Sequence, residues 1–556
     1  MSWRISGRTP LFGDRFREFH HRWQRVMVLA AGTGALTGLA IVGFESLTVD
    51  ALLDHVRVLP DAAIVFLPAL GLVLAWCALQ WLGRDASPSM ADEYLREYHG
   101  RSGRSDLRAF AGRIAASVAT LGTGGALGFE GPSIYIGSSI GRSVQARFHR
   151  FFSQSDRRVL LVAGAAAGVA AIFKAPATGA VFALEVPYQQ DNAAHAVLPA
   201  LVGAATSYLV YIAFKGTDPL FRVIGNPGFD ARDLLGAVGL GLVCGAGARL
   251  FATLAVRAKR RVRHVARVVG GGATLALLAL VALVVFDVPL TIGPGYQAIS
   301  WSVSPGRSTA LVALLLALEV VATLATVAGG GAGGLFIPLV VQGWLLGRVV
   351  EGVVRTGTSL FPVVGAAAYL GAGYRTPIAA VVFVTEAARG PGFIVPALVA
   401  TAVSQLLMGR ASVASYQLPR RVSSLERRLE QPLTIAMVRP PLVCPADTPL
   451  EELVPRFASD GDAIAIIVDE NGYAGTAAPG DLLSTPRREW QTTTAATVMK
   501  RDLTTAAATW TVALANEVIA TEQLEALVVL DDERIPIGVV TSRAIAAYLG
   551  EADIDL

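Results

Sequence analysis

The sequence predicts an all-α polytopic membrane domain of two repeated halves with discontinuous helices, followed by an α+β tail. Three observations carry this. The chain is 53% hydrophobic and only 16% charged, where soluble chains carry about 25% charged residues. Long apolar stretches fill residues 26 to about 410, and charges of both signs intersperse freely only from about 418 onward. Within the apolar part, two pairs of motifs recur in one order.

The first 25 residues hold Arg4, Arg8, Arg15, Arg17, Arg22 and Arg25. Such a basic flank is expected on the cytoplasmic side, and no cleavable leader is expected here. Residues 26–47 and 62–82 follow as full spans, since a hydrocarbon core of about 30 Å needs about 20 helical residues. Later apolar pieces are shorter: 134–141, 159–173, 177–186 and 378–385, punctuated by Gly and Pro. They read as broken helices that meet inside the membrane, where irregular backbone survives only if it is buried or lines a wet cavity. The membrane domain thus covers 26–420. Arg420, Arg421, Arg427 and Arg428 follow the last apolar run and place the tail, 421–556, in the cytoplasm as well. The net charge of +4 fits basic loops beside a bilayer rather than nucleic-acid binding. Cys77, Cys244 and Cys444 fit no disulfide or metal spacing. No Ser-His-Asp set, metal cluster or phosphate loop points to an enzyme.

GAAAGVAAIFKAPATGAVFALE (164–185) repeats as GAAAYLGAGYRTPIAAVVFVTE (365–386). In each copy a basic residue, Lys174 or Arg375, stands two before a Pro, and a Glu, Glu185 or Glu386, stands nine after it. Upstream, GFEGPSIYIG (128–137) pairs with GLFIPLVVQG (334–343), with Pro fifth and Gly tenth in both. Duplicated membrane halves place a substrate site between them, where half-helix N-termini offer N–H groups to an anion. GFEGP and GGLFIP are both helix openings, and neither carries a fixed cation in its centre. A backbone-lined site of this kind holds an anion weakly enough to release it.

The tail repeats too. Met437 pairs with Met499, Asp469 with Asp531 and Gly475 with Gly538. AIAIIVDENGYAGTA and EALVVLDDERIPIGVV read as strand, turn, strand, with a helix expected over 450–458. Two modules are expected, at about 431–486 and 493–550.

Taken together, these motifs resemble the CLC family of chloride channels and chloride/proton exchangers, with a C-terminal pair of CBS modules. GFEGPSIYIGSSIGR is similar to the family's G-[KR]-E-G-P block, GVAAIFKAPATGAVFALE to its next block and GGLFIP to its G-x-F-x-P motif. The resemblance implies inverted halves, a homodimer in the lipid bilayer with one anion path per subunit, and chloride or a related anion as substrate.

It also implies site residues. Glu130 matches the gating glutamate, whose carboxylate occupies the anion site until it is protonated or displaced. An ionisable side chain inside a membrane is costly and functional by default. The backbone amides of Phe129, Glu130, Gly131, Leu335 and Phe336 match the anion-coordinating positions, although Phe129 stands where the family has Arg or Lys. The central serine motif, G-S-G-I-P, is represented by PSMAD, which puts Ser89 at the serine. Ser89 also reads simply as a residue near a helix start. The central tyrosine falls near Val413 or Ala414, with Tyr416 slightly displaced, so an altered inner gate and a wider vestibule are expected. Lys174 reads as a vestibule cation or as a partner for a carboxylate or headgroup. Glu185 and Glu386 read as structural charges paired with basic residues. Val186 stands where exchangers carry a second, internal glutamate, which leans towards channel-like passive conduction. An exchanger lacking that glutamate is the alternative. In the tail, the nucleotide signature is incomplete: Asp481 is kept without its Ser/Thr, which is Ala478, and Thr541 without its Asp, which is Ala544. A structural or dimerising role is favoured over binding of an adenine nucleotide. Two rival classes are a CBS-bearing divalent-cation transporter, which lacks the acidic rings such a path needs, and a non-conducting membrane sensor.

Overall fold

The computed structural model describes residues 12–550, apart from 101–105, 153–157, 219, 221–228, 260–264, 355–359, 389, 421–423, 439–441, 461–463, 502–503 and 525. Arg4, Arg8 and Arg421 lie outside the described residues. The chain forms two compact units, Met1–Arg421 and Val422–Leu556.

The first half of the membrane unit contains α1 (Phe12–Glu45), α2 (Asp54–Val56), α3 (Asp61–Cys77), α4 (Met90–Tyr98), α5 (Leu107–Gly122), α6 (Glu130–Arg147), α7 (Val159–Phe173), α8 (Pro176–Glu185) and α9 (Val197–Lys215). The second half contains α10 (Ala231–Lys259), α11 (Val265–Phe286), α12 (Tyr296–Ser302), α13 (Thr309–Ala328), α14 (Phe336–Val354), α15 (Leu360–Tyr374), α16 (Pro377–Ala388) and α17 (Ile394–Met408). Among the described residues, seven helical stretches are long and apolar enough to cross a membrane. The two full spans continue through π-helical turns, Ser46–Leu53 after α1 and Ala78–Leu82 after α3. The piece expected over 134–141 is instead the middle of the 18-residue α6, because its glycines serve packing and do not break the helix.

The repeat is visible as geometry. Lys174 and Arg375 both adopt positive φ, 52° and 60°, and end α7 and α15. A left-handed residue closes a helix, and the Pro two positions on opens the next at its first turn. This punctuation produces the short helices α8 and α16. Helix crossings repeat as well. A Cβ on Gly164 would overlap the carbonyl of Gly137, and one on Gly137 that of Gly164. Gly343 and Gly365 stand in the same mutual relation between α14 and α15. The aligned glycines of the sequence repeat are thus the points where backbones touch.

Glu185 and Glu386 correct the expectation of basic partners. The Glu185 carboxylate accepts the N–H groups of Ile378 (3.2 Å) and Ala379 (2.8 Å) at the start of α16. The Glu386 carboxylate accepts those of Ala177 (3.0 Å) and Thr178 (2.7 Å) at the start of α8, with the Thr178 hydroxyl at 2.5 Å. Each half caps a helix of the other. Their partners are orphan N–H groups at helix starts, which attract carboxylates as a cation would. Glu386→Ala strands these donors, at about 1–3 kcal/mol for each buried one. A lowered melting temperature in detergent is the expected result, with Glu386→Gln intermediate.

The second unit contains α18 (Ser424–Leu429), β1 (Leu442–Pro445), α19 (Leu450–Asp460), β2 (Ala465–Asp469), β3 (Gly472–Ala477), α20 (Pro479–Leu483), α21 (Ala495–Val498), β4 (Thr505–Ala507), α22 (Val512–Glu522), β5 (Ala526–Leu530), β6 (Pro536–Thr541) and α23 (Ser542–Gly550). Each module has a three-stranded sheet, β1-β2-β3 or β4-β5-β6, with its first pair parallel and its second antiparallel. The leading segments are exchanged. Val438, ahead of β1, bridges Val539 of the second module, and Lys500, ahead of β4, bridges Thr476 of the first. Met437 accordingly packs on Gly538 and Met499 on Gly475.

Candidate anion pathway

Two helix N-termini converge in the membrane unit. α6 opens at Glu130 and α14 at Phe336, just after a reciprocal backbone pair. Gly128 N–H donates to Gly334 O (2.9 Å), and Gly334 N–H donates to Gly128 O (2.8 Å). Such an exchange is what a two-fold relation between the halves produces. It points two sets of orphan N–H groups and two positive dipole ends at one buried region.

Glu130 fills that region. It is 2% exposed, and its Oε1 accepts the N–H of Phe336 from the other half. The Ile337 N–H and Glu130's own N–H also face the carboxylate. Space for it comes from missing side chains: a Cβ on Gly334 would overlap Oε1, and one on Gly128 would overlap Oε2. Gly131 packs on the backbone of Gly333, where a Cβ would stand 2.7 Å from the carbonyl oxygen. Phe129 buries its ring, while its carbonyl accepts the Ser133 N–H (3.2 Å) and hydroxyl (2.8 Å). The Leu335 N–H faces the Tyr374 hydroxyl.

Next to Leu335 lies a cavity of about 30 Å³, whose lining includes Ser89, Asp92, Lys259 and Tyr374. Ser89, Asp92 and Lys259 also line a vestibule of about 1000 Å³, so they stand where the two spaces meet. Arg96, Arg257, Lys259 and Arg410 outnumber Asp92 and Glu93 on the vestibule wall. A cleft with a surplus of one charge sign concentrates ions of the other, here anions.

Ser89 sits at the N-cap of α4 but makes no side-chain cap bond, and it lines both cavities. Tyr416 lines only the wide vestibule, with the Arg96 guanidinium 5.5 Å above its ring. The aromatic at the narrow cavity is Tyr374, which sequence reasoning missed. The repeat offered a signal, since it aligns Tyr374 with Phe173, and both rings pack on Phe336, at 6.3 and 4.6 Å. Lys259 was missed as well. It belongs to a basic run, AKRRVRH, that reads as an ordinary membrane flank.

Of the two readings of Lys174, that of a vestibule cation is not met: the vestibule lining does not include this residue. Its Nζ donates to Lys215 O (3.1 Å), and it borders a separate cavity of about 250 Å³ with Tyr208, Asp218 and Glu386. Val186 is buried just past α8, and its carbonyl accepts Gln417 Nε2 (3.0 Å).

In the tail, the Asp481 carboxylate accepts the Ala478 N–H (3.0 Å) and pairs with Lys500 (2.9 Å). Partial burial raises its pKa, but the Ala478 N–H and Lys500 outweigh this and hold it below the usual aspartate value. The Thr541 hydroxyl accepts the Ala544 N–H (3.1 Å) at the start of α23.

The family profile described as "Voltage gated chloride channel" matches residues 70–409, and that of the CBS domain matches 433–487 and 495–551. The "H(+)/Cl(-) exchange transporter ClcA" of Salmonella arizonae is 28% identical over 419 residues, covering 69% of this chain and 86% of that protein. The protein of the same name from Citrobacter koseri is 28% identical over 420 residues, with the same coverage. Among solved structures, a CLC-type fluoride/proton antiporter aligns with TM-score 0.61 at 22% identity, over 72% of this chain and 98% of that one. A eukaryotic CLC transporter aligns with TM-score 0.56 at 17% identity, over 94% and 98%. These two likenesses bear on the fold, and the profile over more than half the sequence bears on kinship: the chain belongs to the CLC family of anion-transporting membrane proteins and carries a C-terminal pair of CBS domains.

Proposed function

We propose that this protein moves chloride or a similar small inorganic anion across the cell membrane, with Glu130 as the gate. The observation that carries this reading is the Glu130 carboxylate bonded to the Phe336 N–H of the opposite half. A carboxyl group already rests where two helix N-termini would receive an anion, so an anion enters when that side chain leaves. Ser89 and Tyr374 narrow the path towards the vestibule, and Tyr416 stands in the wider part. The protein acts as a homodimer in the bilayer with one path per subunit. The arginines early in the first helix and after the last favour the cytoplasmic side for both termini, and with them the vestibule.

Passive conduction is the favoured mode, because Val186 offers no proton acceptor on the inner route. Proton exchange is the second reading, favoured by the similarity to the H(+)/Cl(-) exchange transporters of Salmonella arizonae and Citrobacter koseri. Chloride efflux from proteoliposomes, with proton movement recorded in the same sample, tests both. Passive conduction predicts chloride release without uphill proton movement. Coupled protons would establish exchange and show that Val186 does not prevent it. An absence of flux for chloride, nitrate, bromide and fluoride alike would overturn the transport reading.

The tail acts structurally on this reading. Asp481 is engaged by Ala478 and Lys500 and Thr541 by Ala544, and neither module has a complete signature, so the residues do not fit an adenine nucleotide. ATP added to the full-length protein is expected to give no calorimetric binding heat. Truncation after about residue 425 is expected to leave the anion path conducting.

A further inference from the structure

We propose that Asp92 is a second anion-competing carboxylate, occupying an anion site formed by the Lys259 ammonium and the Ser415 N–H at the vestibule end of the path. This rests on the anion-transport reading above. Asp92 is the last residue of PSMAD, where the resembling motif ends in Pro, so the carboxylate is a feature of this chain. Lys259 Nζ donates to Asp92 Oδ2 at 2.8 Å and to the Val413 carbonyl at 2.7 Å. Asp92 Oδ1 accepts the Ser415 N–H at 2.9 Å. The two side chains are only 7% and 16% exposed, and both line the narrow cavity and the vestibule.

Among the described residues, Lys259 is the cation paired with Asp92. Glu93, next along α4, is held by Arg113 (3.1 Å) and Arg96 (3.3 Å). An ammonium and an N–H converging on one carboxylate at a passage are donors that a chloride ion can also use. An anion leaving the narrow cavity for the vestibule therefore meets a donor set already holding a carboxylate, as it does at Glu130. Passage requires Asp92 to yield. The two carboxylates bracket the Leu335–Tyr374 segment, so an anion between them exchanges against one at each end. Lys259 also supplies the fixed cation that the helix openings lack.

The test is anion binding to the purified full-length protein by titration calorimetry, with chloride and then bromide as probes, beside proteoliposome flux. Asp92→Asn removes the competitor and keeps its shape. Chloride affinity is expected to rise about tenfold, the scale of losing one close charge competitor. Lys259→Met is expected to weaken binding, and in the double variant the Asp92→Asn gain is expected to vanish. If Asp92→Asn elutes as a folded, monodisperse species and binds chloride as the parent does, the pair is only a clamp between α4 and α10 and the proposal fails. If Asp92→Asn does not fold, Lys259→Met and Lys259→Gln decide alone: unchanged affinity overturns the proposal, and weakened affinity supports it. Failure of the transport reading looks different, since it would abolish flux in the parent protein while leaving these binding comparisons intact.

Discussion

Glu130→Gln is expected to give anion flux equal to or above that of the parent, at every pH, with any proton coupling lost. The amide keeps the size of the side chain and can still accept the Phe336 N–H. It loses the charge that two helix N-termini hold in place. A buried charge at a helix terminus gains up to about 2 kcal/mol from the dipole. Losing it lets an anion displace the side chain about thirtyfold more readily. Protonation of the native carboxylate does the same, so parent flux should rise as the pH falls while the Gln variant stays flat. Both curves come from one liposome series between mildly acidic and mildly alkaline pH. A Gln variant that retains the parent's pH dependence would move the gate to another residue.

Gly164→Leu is expected to abolish folding, the largest effect on stability. At the α6–α7 crossing, Gly164 and Gly137 each face the other's carbonyl, and Gly141 N lies 3.2 Å from where the new Cβ would stand. These neighbours are helical backbone and cannot rotate away. Ordinary overpacking of a core costs about 1–3 kcal/mol, and this clash exceeds it. Gly365→Leu should fail in the same way at the mirrored crossing. Gly43→Ala in α1, which meets nothing within 4 Å, is the tolerated control. Yield of the monodisperse species on size exclusion is the readout. Normal recovery of Gly164→Leu would mean that the two helices separate more readily than their packing implies.

The repeat made much of this architecture legible beforehand. Its glycines, its basic-x-Pro steps and its two helix openings are local signals with a fixed physical meaning, and each reappears as a crossing, a left-handed helix end or an N-terminus. The place of Glu130 at a helix opening was legible because a carboxylate in an apolar run demands a reason. The missed residues, and the misassigned partners of Glu185 and Glu386, share a different property: their meaning depends on distant contacts. Glu185 and Glu386 bond to backbone N–H groups in the opposite half, and a backbone group leaves no trace in residue type. Lys259 reads as a flank because its neighbours are also basic. Asp92, 167 residues away in sequence, shows its role only beside Lys259. Tyr374 resembles a core aromatic until the narrow cavity is seen next to it.

The exchanged leading segments of the tail bear on how its parts can be dissected. The strand pairing that completes one module's sheet edge is supplied from in front of the other, through Val438 on Val539 and Lys500 on Thr476. Cutting the tail between its modules therefore yields two incomplete pieces, each with an open edge and a stranded β-segment, and such edges invite aggregation. Only removal of the whole pair asks a clean question about regulation.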